Sequence, residues 1–225
     1  MKVKLVSYSQ PAGEIEGLEN VQDLIAYAAR VSNPSNQLNT ETSERLLNYL
    51  AKHKHWSPFE MVSACLEIET TRDIARQILR HRSFSFQEFS QRYADPTKDL
   101  DFVLREARLQ DPKNRQNSVE LDLEHNEQDA AFYLLWQDKQ QNVIDAAKEA
   151  YTWAIENGIA KEQARAVLPE GNTVSRMYMN GTLRSWIHYI ELRAANGTQK
   201  EHMEIACAVA QVITEIFPLA EDYIS

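Results

Sequence analysis

MVSACLEIET, Met61 to Thr70, decides the fold class. Its apolar residues alternate roughly with polar ones, the two-residue period of a strand with one face in a core. The period then changes at once. TRDIARQILRHR, Thr71 to Arg82, reads as a helix, with Thr70 or Thr71 placed to cap it. The same change recurs later, where TVSRMYMN (173–180) reads as a strand and GTLRSWIHYIELRAA (181–195) as a helix.

Working outward, VKLVSYS (3–9) is an opening strand. VQDLIAYAARVS gathers Val21, Leu24, Ile25, Ala28, Ala29 and Val31 on one helical face, and NPSN ends it at Pro34. TSERLLNYLAKH is a second helix, capped by Thr40 or Thr42, and HKHWSPFE is a loop punctuated by Pro58. Residues 83–93 look extended. Residues 94–130 are polar and rich in turn signals, so a loop or an insertion is expected. Leu121 to Asn157 is helical, as two helices or one broken helix. KEQARAVLP is a short helix, and QKEHMEIACAVAQVITEIF closes the chain as a long one. Strands and helices mix without regular alternation. The expectation is a single α+β domain over 1–225, a mixed sheet packed with long helices.

The totals narrow the function. The chain has 225 residues, 43% apolar and 25% charged, enough to bury a real core. A formal net charge of -9 disfavours broad nucleic-acid binding, which needs a cationic surface. It leaves room for a small anionic ligand in a locally positive pocket. No apolar run suits a membrane span or a signal peptide, so a cytoplasmic location is the expectation. Cys65 and Cys207 sit in apolar settings and read as buried free thiols. His53 and His55 make an H-x-H pair that a metal site would need to complete with a third ligand, for which His81 and Glu60 are candidates. His125 and His202 read as surface residues. Trp56, Trp136, Trp153 and Trp186 read as core or interface, and Tyr27 and Tyr49 as packing residues.

Against that acidic background, RHRSFSFQEFSQRY, Arg80 to Tyr93, concentrates positive charge. Arg72, Arg76 and Arg80 recur at i, i+4 and i+8, on one helical face where like charges repel. Phosphate would relieve that repulsion, because a guanidinium grips its oxygens in pairs. The plainer alternative is a solvated face paired with Glu67, Glu69 or Asp73. Consecutive side chains of Arg80, His81 and Arg82 point about 100° apart on a helix, so a ligand meeting all three must be large, such as a dinucleotide. Strand alternation would then place Glu88, Ser90 and Arg92 on one side and Phe89 toward the core.

Arg80-His81-Arg82, followed after seven residues by Ser90, resembles the signature of the flavin-dependent thymidylate synthases. HKHWSPFE, ARAVLP and LRSWIHYIELRAANGTQKEHMEIA resemble three further segments of that family, in the same order. The resemblance implies synthesis of thymidylate from dUMP. Methylenetetrahydrofolate would supply the carbon, FAD the hydride, and NADPH would reduce the flavin. It also implies a homotetramer with sites shared between subunits, and no metal. Carried onto this chain, it assigns FAD contacts to Ser32, His55, Ser57, Glu60, Arg80, His81, Arg82, Arg184 and His188. It assigns dUMP contacts to Gln77, Arg80, Glu88, Ser90, Arg92, Arg165 and Arg193, with Arg165 reaching a neighbouring subunit's nucleotide. His55 and Tyr93 fall where the folate ring stacks. Arg193 would face the uracil ring and polarise it, and Ser90 would bind and orient rather than attack. His188 and Thr182 stand where many members have Asn, and residues 94–130 exceed the family minimum. A non-catalytic nucleotide or single-stranded nucleic-acid binding module is the alternative, and the net charge disfavours it.

Overall fold

The computed structural model describes residues 1–223. In chain order the elements open with β1 (Lys2–Tyr8), α1 (Val21–Ala29), α2 (Ser43–Lys52), β2 (Ser63–Thr71), α3 (Arg72–Ile78) and β3 (Ser85–Glu88). A middle stretch follows, with α4 (Pro96–Asp99), β4 (Arg108–Gln110), β5 (Ser118–Glu120), α5 (Glu127–Glu156) and α6 (Lys161–Ala164). β6 (Val174–Thr182), α7 (Leu183–Ala194), α8 (Lys200–Ile216) and α9 (Ala220–Tyr223) complete it. The class is α+β, as the sequence predicts.

Four strands form one sheet in the order β1-β2-β6-β3, and every pairing is antiparallel, so the sheet is not the mixed one expected. Its register pairs Leu66 with Met179 and Ile68 with Met177, so apolar residues of neighbouring strands share a face. That face is fully buried under α7, α8 and α1. Trp186 of α7 lies in this core and donates its indole N–H to the Ala64 carbonyl, 3.1 Å away. The opposite face carries the charges. Glu69 pairs with Arg176 at 3.1 Å and Lys2 at 3.6 Å, and Glu67 with Lys4 at 3.7 Å. The alternation in MVSACLEIET thus does what it predicts. Both β2 and β6 run straight into a helix, and because the strands are antiparallel, with Thr71 opposite Val174 and Ser63 opposite Thr182, the N-termini of α3 and α7 lie at opposite ends of the sheet.

Gly181 fixes the segment after α3. A Cβ at Gly181 would collide with the ring of Phe84, so only glycine lets that ring lie across β6. Phe84 also meets Trp186 edge-on, with centroids 4.7 Å apart. Ser185 donates to the Ser83 carbonyl at 3.3 Å. Arg80, His81 and Arg82 are therefore held against α7 by the residues that follow them.

Several expectations need correction. Residues 94–130 are not only loop: β4 and β5 pair as a small antiparallel hairpin. α5 is one unbroken helix of 30 residues, capped by Asn126, whose side chain accepts from the amides of Gln128 and Asp129. Thr71 ends β2 but does not cap α3; its hydroxyl instead accepts from Arg105 at 3.0 Å. Thr42 holds the cap position of α2 with no capping bond, because its hydroxyl accepts from Arg30 at 2.8 Å. Cys65 and Cys207 are free, but Cys65 is half-buried and Cys207 exposed, since each falls on the outward side of its element. His202 is fully buried rather than superficial. Tyr49, expected to pack, is exposed, while Trp136 and Trp153 lie outside the core of this chain.

Candidate active site

α3 ends at Ile78, so Arg80, His81 and Arg82 lie in the turn beyond it. Arg80 and Arg82 are exposed, and His81 is half-buried. Arg193, near the end of α7, donates from Nε to Nε2 of His81 at 2.9 Å. That bond requires neutral imidazole. Burial, followed by the charges of Arg193 and Arg80, pushes the His81 pKa down to about 4. His81 therefore steers the Arg193 guanidinium as a permanent acceptor. Tyr189, buried beneath it, presents its ring edge-on to His81 at 4.9 Å.

The arginines divide by their partners. Arg72 and Arg76 are salt-bridged, but not to the residues nearby in sequence. Arg72 meets Glu88 at 3.7 Å and Glu170 at 3.4 Å; Arg76 meets the same carboxylates at 3.4 Å and 3.7 Å. Glu88 also accepts from the Ser175 hydroxyl at 2.9 Å. Its expected alignment with Ser90 and Arg92 fails, because β3 stops at Glu88 and the chain turns. Among the described residues, Arg80, Arg82 and Arg193 form no salt bridge. Guanidinium groups without a carboxylate partner can take an anion, even in an acidic protein.

A second group adjoins this one through Ser185. Glu60, in the turn Ser57–Glu60, pairs with Arg184 at the start of α7. One turn on, His188 meets Trp56 edge-on at 4.9 Å. Ser57 is exposed on the same turn. His55 is exposed and clusters with Tyr49 and His53, the His55–Tyr49 centroids being 6.3 Å apart. Ser32 lies in an exposed turn after α1, and no hydrogen bond ties it to these groups among the described residues.

A third group forms at the α6 end. Arg92 pairs with Glu162 at 3.2 Å, and Arg165 donates to the Glu162 carbonyl at 3.3 Å. Lys161 donates to the Tyr93 carbonyl at 2.9 Å, and the Ser90 hydroxyl accepts from the Arg92 amide at 3.4 Å. Tyr93 is 80% exposed. Among the described residues, no hydrogen bond or salt bridge joins this group to His81 or Arg193. The predicted site residues thus fall into separate contact groups within one chain.

A family sequence model described as thymidylate synthase complementing protein matches residues 15–219. The chain belongs to the thymidylate synthase complementing protein family. It is 48% identical over 218 residues to the probable flavin-dependent thymidylate synthase of Paramecium bursaria Chlorella virus 1, covering 97% of this chain and 96% of that one. It is 47% identical over 219 residues to the flavin-dependent thymidylate synthase of Synechocystis sp., with 97% and 96% covered. Its fold is similar to the crystal structure of a UMP/dUMP methylase from Streptomyces cacaoi bound with 5-Br dUMP. That likeness has a TM-score of 0.78 at 24% identity, covering 99% of this chain and 93% of that one.

Within this family chain, sequence reading assigns no site role to six residues that surround Gln77. Gln77, assigned by resemblance alone, bonds to Gln199, and His202, Tyr189 and Glu201 continue the contact. Arg105 and Arg108 end it. The polar run QKEH at the head of α8 was the available signal, because an apolar-faced helix that starts with four polar residues needs partners for them. No group of His, Cys, Asp and Glu among the described residues has the makings of a metal site, and no described helix is long and apolar enough to cross a membrane.

Proposed function

We propose that the chain, acting as one unit over 1–225, is a flavin-dependent thymidylate synthase that methylates dUMP. Its cofactor is FAD, with methylenetetrahydrofolate as carbon donor and NADPH as reductant. The observation that carries this reading is the unneutralised set Arg80, Arg82 and Arg193 around a neutral His81. Family membership supports it, and so do the names of the relatives.

The residues present fit a flavin dinucleotide. Arg80 and Arg82 offer two guanidinium groups without carboxylates to the phosphates. Ser57, Arg184 and His188 add a hydroxyl, a fork and an imidazole on the adjoining face, with Glu60 holding Arg184 in place. When bound, the flavin supplies the hydride of the reductive methylation. The rest falls to the chain's own groups. Arg193 faces the uracil ring and stabilises the charge that develops on its carbonyl as carbon attaches at ring carbon 5. The His81 bond fixes the aim of Arg193 before the reaction begins, which avoids a reorganisation cost. Ser90 binds and orients. It has arginine nearby and no base to activate it, so it is not a nucleophile.

The separate contact groups support assembly from several chains. Among the described residues, no hydrogen bond or salt bridge joins Gln77, Arg80 or Arg193 to Ser90, Arg92 or Arg165. On α5, Phe132, Leu134, Leu135, Trp136, Val143 and Trp153 are exposed, an apolar surface suited to other subunits of a homotetramer. Release of tritium from dUMP labelled at carbon 5 tests the chemistry directly, since only attack at that carbon expels the label. No release in the presence of flavin, folate and NADPH overturns the reading. Mixing Arg165→Ala with Arg193→Ala chains tests sharing: hybrid assemblies regain part of the activity if each site draws on two chains, and no regain counts against it.

A further inference from the structure

Five side chains form a directional chain beneath the site. Tyr189 Oη lies 3.1 Å from His202 Nε2, and His202 Nδ1 lies 3.3 Å from Gln77 Oε1. Gln77 Nε2 donates to Gln199 Oε1 at 2.8 Å, and Gln199 Nε2 donates to Glu201 Oε2 at 3.0 Å. Chemistry at the last member sets every direction before it. A carboxylate only accepts, so Gln199 must turn its nitrogen toward Glu201 and its oxygen toward Gln77. Gln77 must then give its nitrogen to Gln199 and its oxygen to His202. His202 must carry its proton on Nδ1 and accept from the Tyr189 hydroxyl on Nε2.

The anchor is firm. Glu201 pairs with Arg108 and, at 3.5 Å, with Arg105. Burial alone would raise its pKa, but the Arg108 hydrogen bond, its own helix amide and the two arginine charges outweigh that and hold it down. Both arginines come from the 94–130 stretch. Arg105 is tied back to Asp73 at 3.2 Å at the start of α3. At the other end, Tyr189 is fully packed and His202 has no exposure.

We propose that His202 is a positioning residue that, together with Gln199, locks the amide of Gln77 at both ends, so that Gln77 meets dUMP with its donor and acceptor in one fixed order. An amide has two N–H donors and two carbonyl lone pairs. The chain uses one of each, and the half-buried Gln77 keeps one of each for a ligand. Without His202 the Gln77 carbonyl loses its donor, and the single bond to Gln199 no longer holds the amide at both ends. This proposal rests on the reading that Gln77 lies beside the nucleotide. It also gives the hairpin region a task, because Arg105 and Arg108 set the direction from which the whole chain propagates.

Calorimetric titration of the flavin-loaded protein with dUMP tests it. His202→Leu keeps the volume and removes both bonds; the expected result is a three- to tenfold weaker dUMP affinity, roughly one neutral hydrogen bond. His202→Asn places an N–H where Nδ1 was and is expected to restore affinity to within about twofold of the parent. A purely structural role predicts the reverse order, because a fully buried site tolerates Leu better than Asn. The double variant Tyr189→Phe with His202→Leu removes the unpaired hydroxyl as well. It is expected to regain thermal stability but not affinity, and it serves if His202→Leu alone does not fold. Parent-like affinity in that double variant, or Leu outperforming Asn, overturns the proposal. If the unaltered protein binds no dUMP at all, the functional reading fails and this proposal falls with it.

Discussion

The two ends of the arginine run differ in one respect. Arg72 and Arg76 share Glu88 and Glu170, and Arg72 is almost wholly buried between them. Arg80 and Arg82, one turn further on, have no carboxylate among the described residues, and nor does Arg193, which α7 brings in beside them. The side chains are the same and their spacing is regular. What separates a structural arginine from one left for a ligand is an acidic partner 12 or 98 positions away in sequence. A positive cluster that a fold leaves unneutralised stores repulsion, and an incoming anion relieves it.

The largest effect should come from the end without carboxylates. Arg193→Ala is expected to lower kcat by about 10²- to 10³-fold, the usual loss when one preorganised donor at a developing charge is removed. Its melting temperature should stay within a few degrees of the parent, because Arg193 is half-exposed and anchors no carboxylate. Steady-state turnover beside a melting curve checks both halves. Normal turnover would show that Arg193 is not the polarising group.

The paired end should answer in stability instead. Arg72→Met leaves Glu88 with one cation fewer in a site where its side chain is only 17% exposed. A loss of about 3 kcal/mol is expected, as when one partner of a buried pair is removed. Arg80→Met should cost less than about 0.5 kcal/mol, as at an ordinary surface position. Urea unfolding of the two variants side by side checks the contrast. Equal losses would erase it.

How much of this was legible follows from where the information lies. The β2–α3 and β6–α7 units could be read because each strand's period lies within ten residues and one face is fully buried. The β4–β5 hairpin could not, because its strands are three residues each and largely exposed, so burial imposes no alternation. α5 looked broken because only Gln140, Ile144, Ala147, Tyr151 and Ala154 are buried along it, a thin stripe among exposed apolar residues. Arg80, His81 and Arg82 announced themselves by adjacency. His202 did not, since a histidine beside a glutamate reads as surface until Tyr189 and Gln77 arrive from other elements to satisfy it.

Acid should probe the same core more gently. The His81 pKa is pushed down to about 4, and that of His202 to about 3, both first by burial and then by Arg193. An unfolded histidine titrates near 6.5. As pH falls below about 6.5, the unfolded chain takes up protons that the folded chain refuses, so stability declines; above that value it is fully present. Melting temperatures between pH 7 and pH 5 should fall, and fall less in His202→Asn, which has one fewer group to charge. An identical slope in the variant would mean that His202 is not neutral in the fold.

Arg92 lies between the two classes and sharpens the comparison most finely. It has a carboxylate, Glu162, but the pair is open to water, with side chains 55% and 49% exposed. Such a pair contributes about 0–1 kcal/mol, because solvent screens it and two long side chains must be ordered to make it. A phosphate gripped in two places would outcompete it. Arg92 is then an arginine on loan, parked on Glu162 until a ligand arrives. Glu162→Gln should leave stability within about 0.5 kcal/mol of the parent. It should also tighten dUMP binding by up to several-fold, since the ligand no longer displaces a competing carboxylate. Titration of both proteins with dUMP decides it: unchanged affinity would place Arg92 with the structural arginines, and weaker affinity would mean that Glu162 aims Arg92 rather than restrains it.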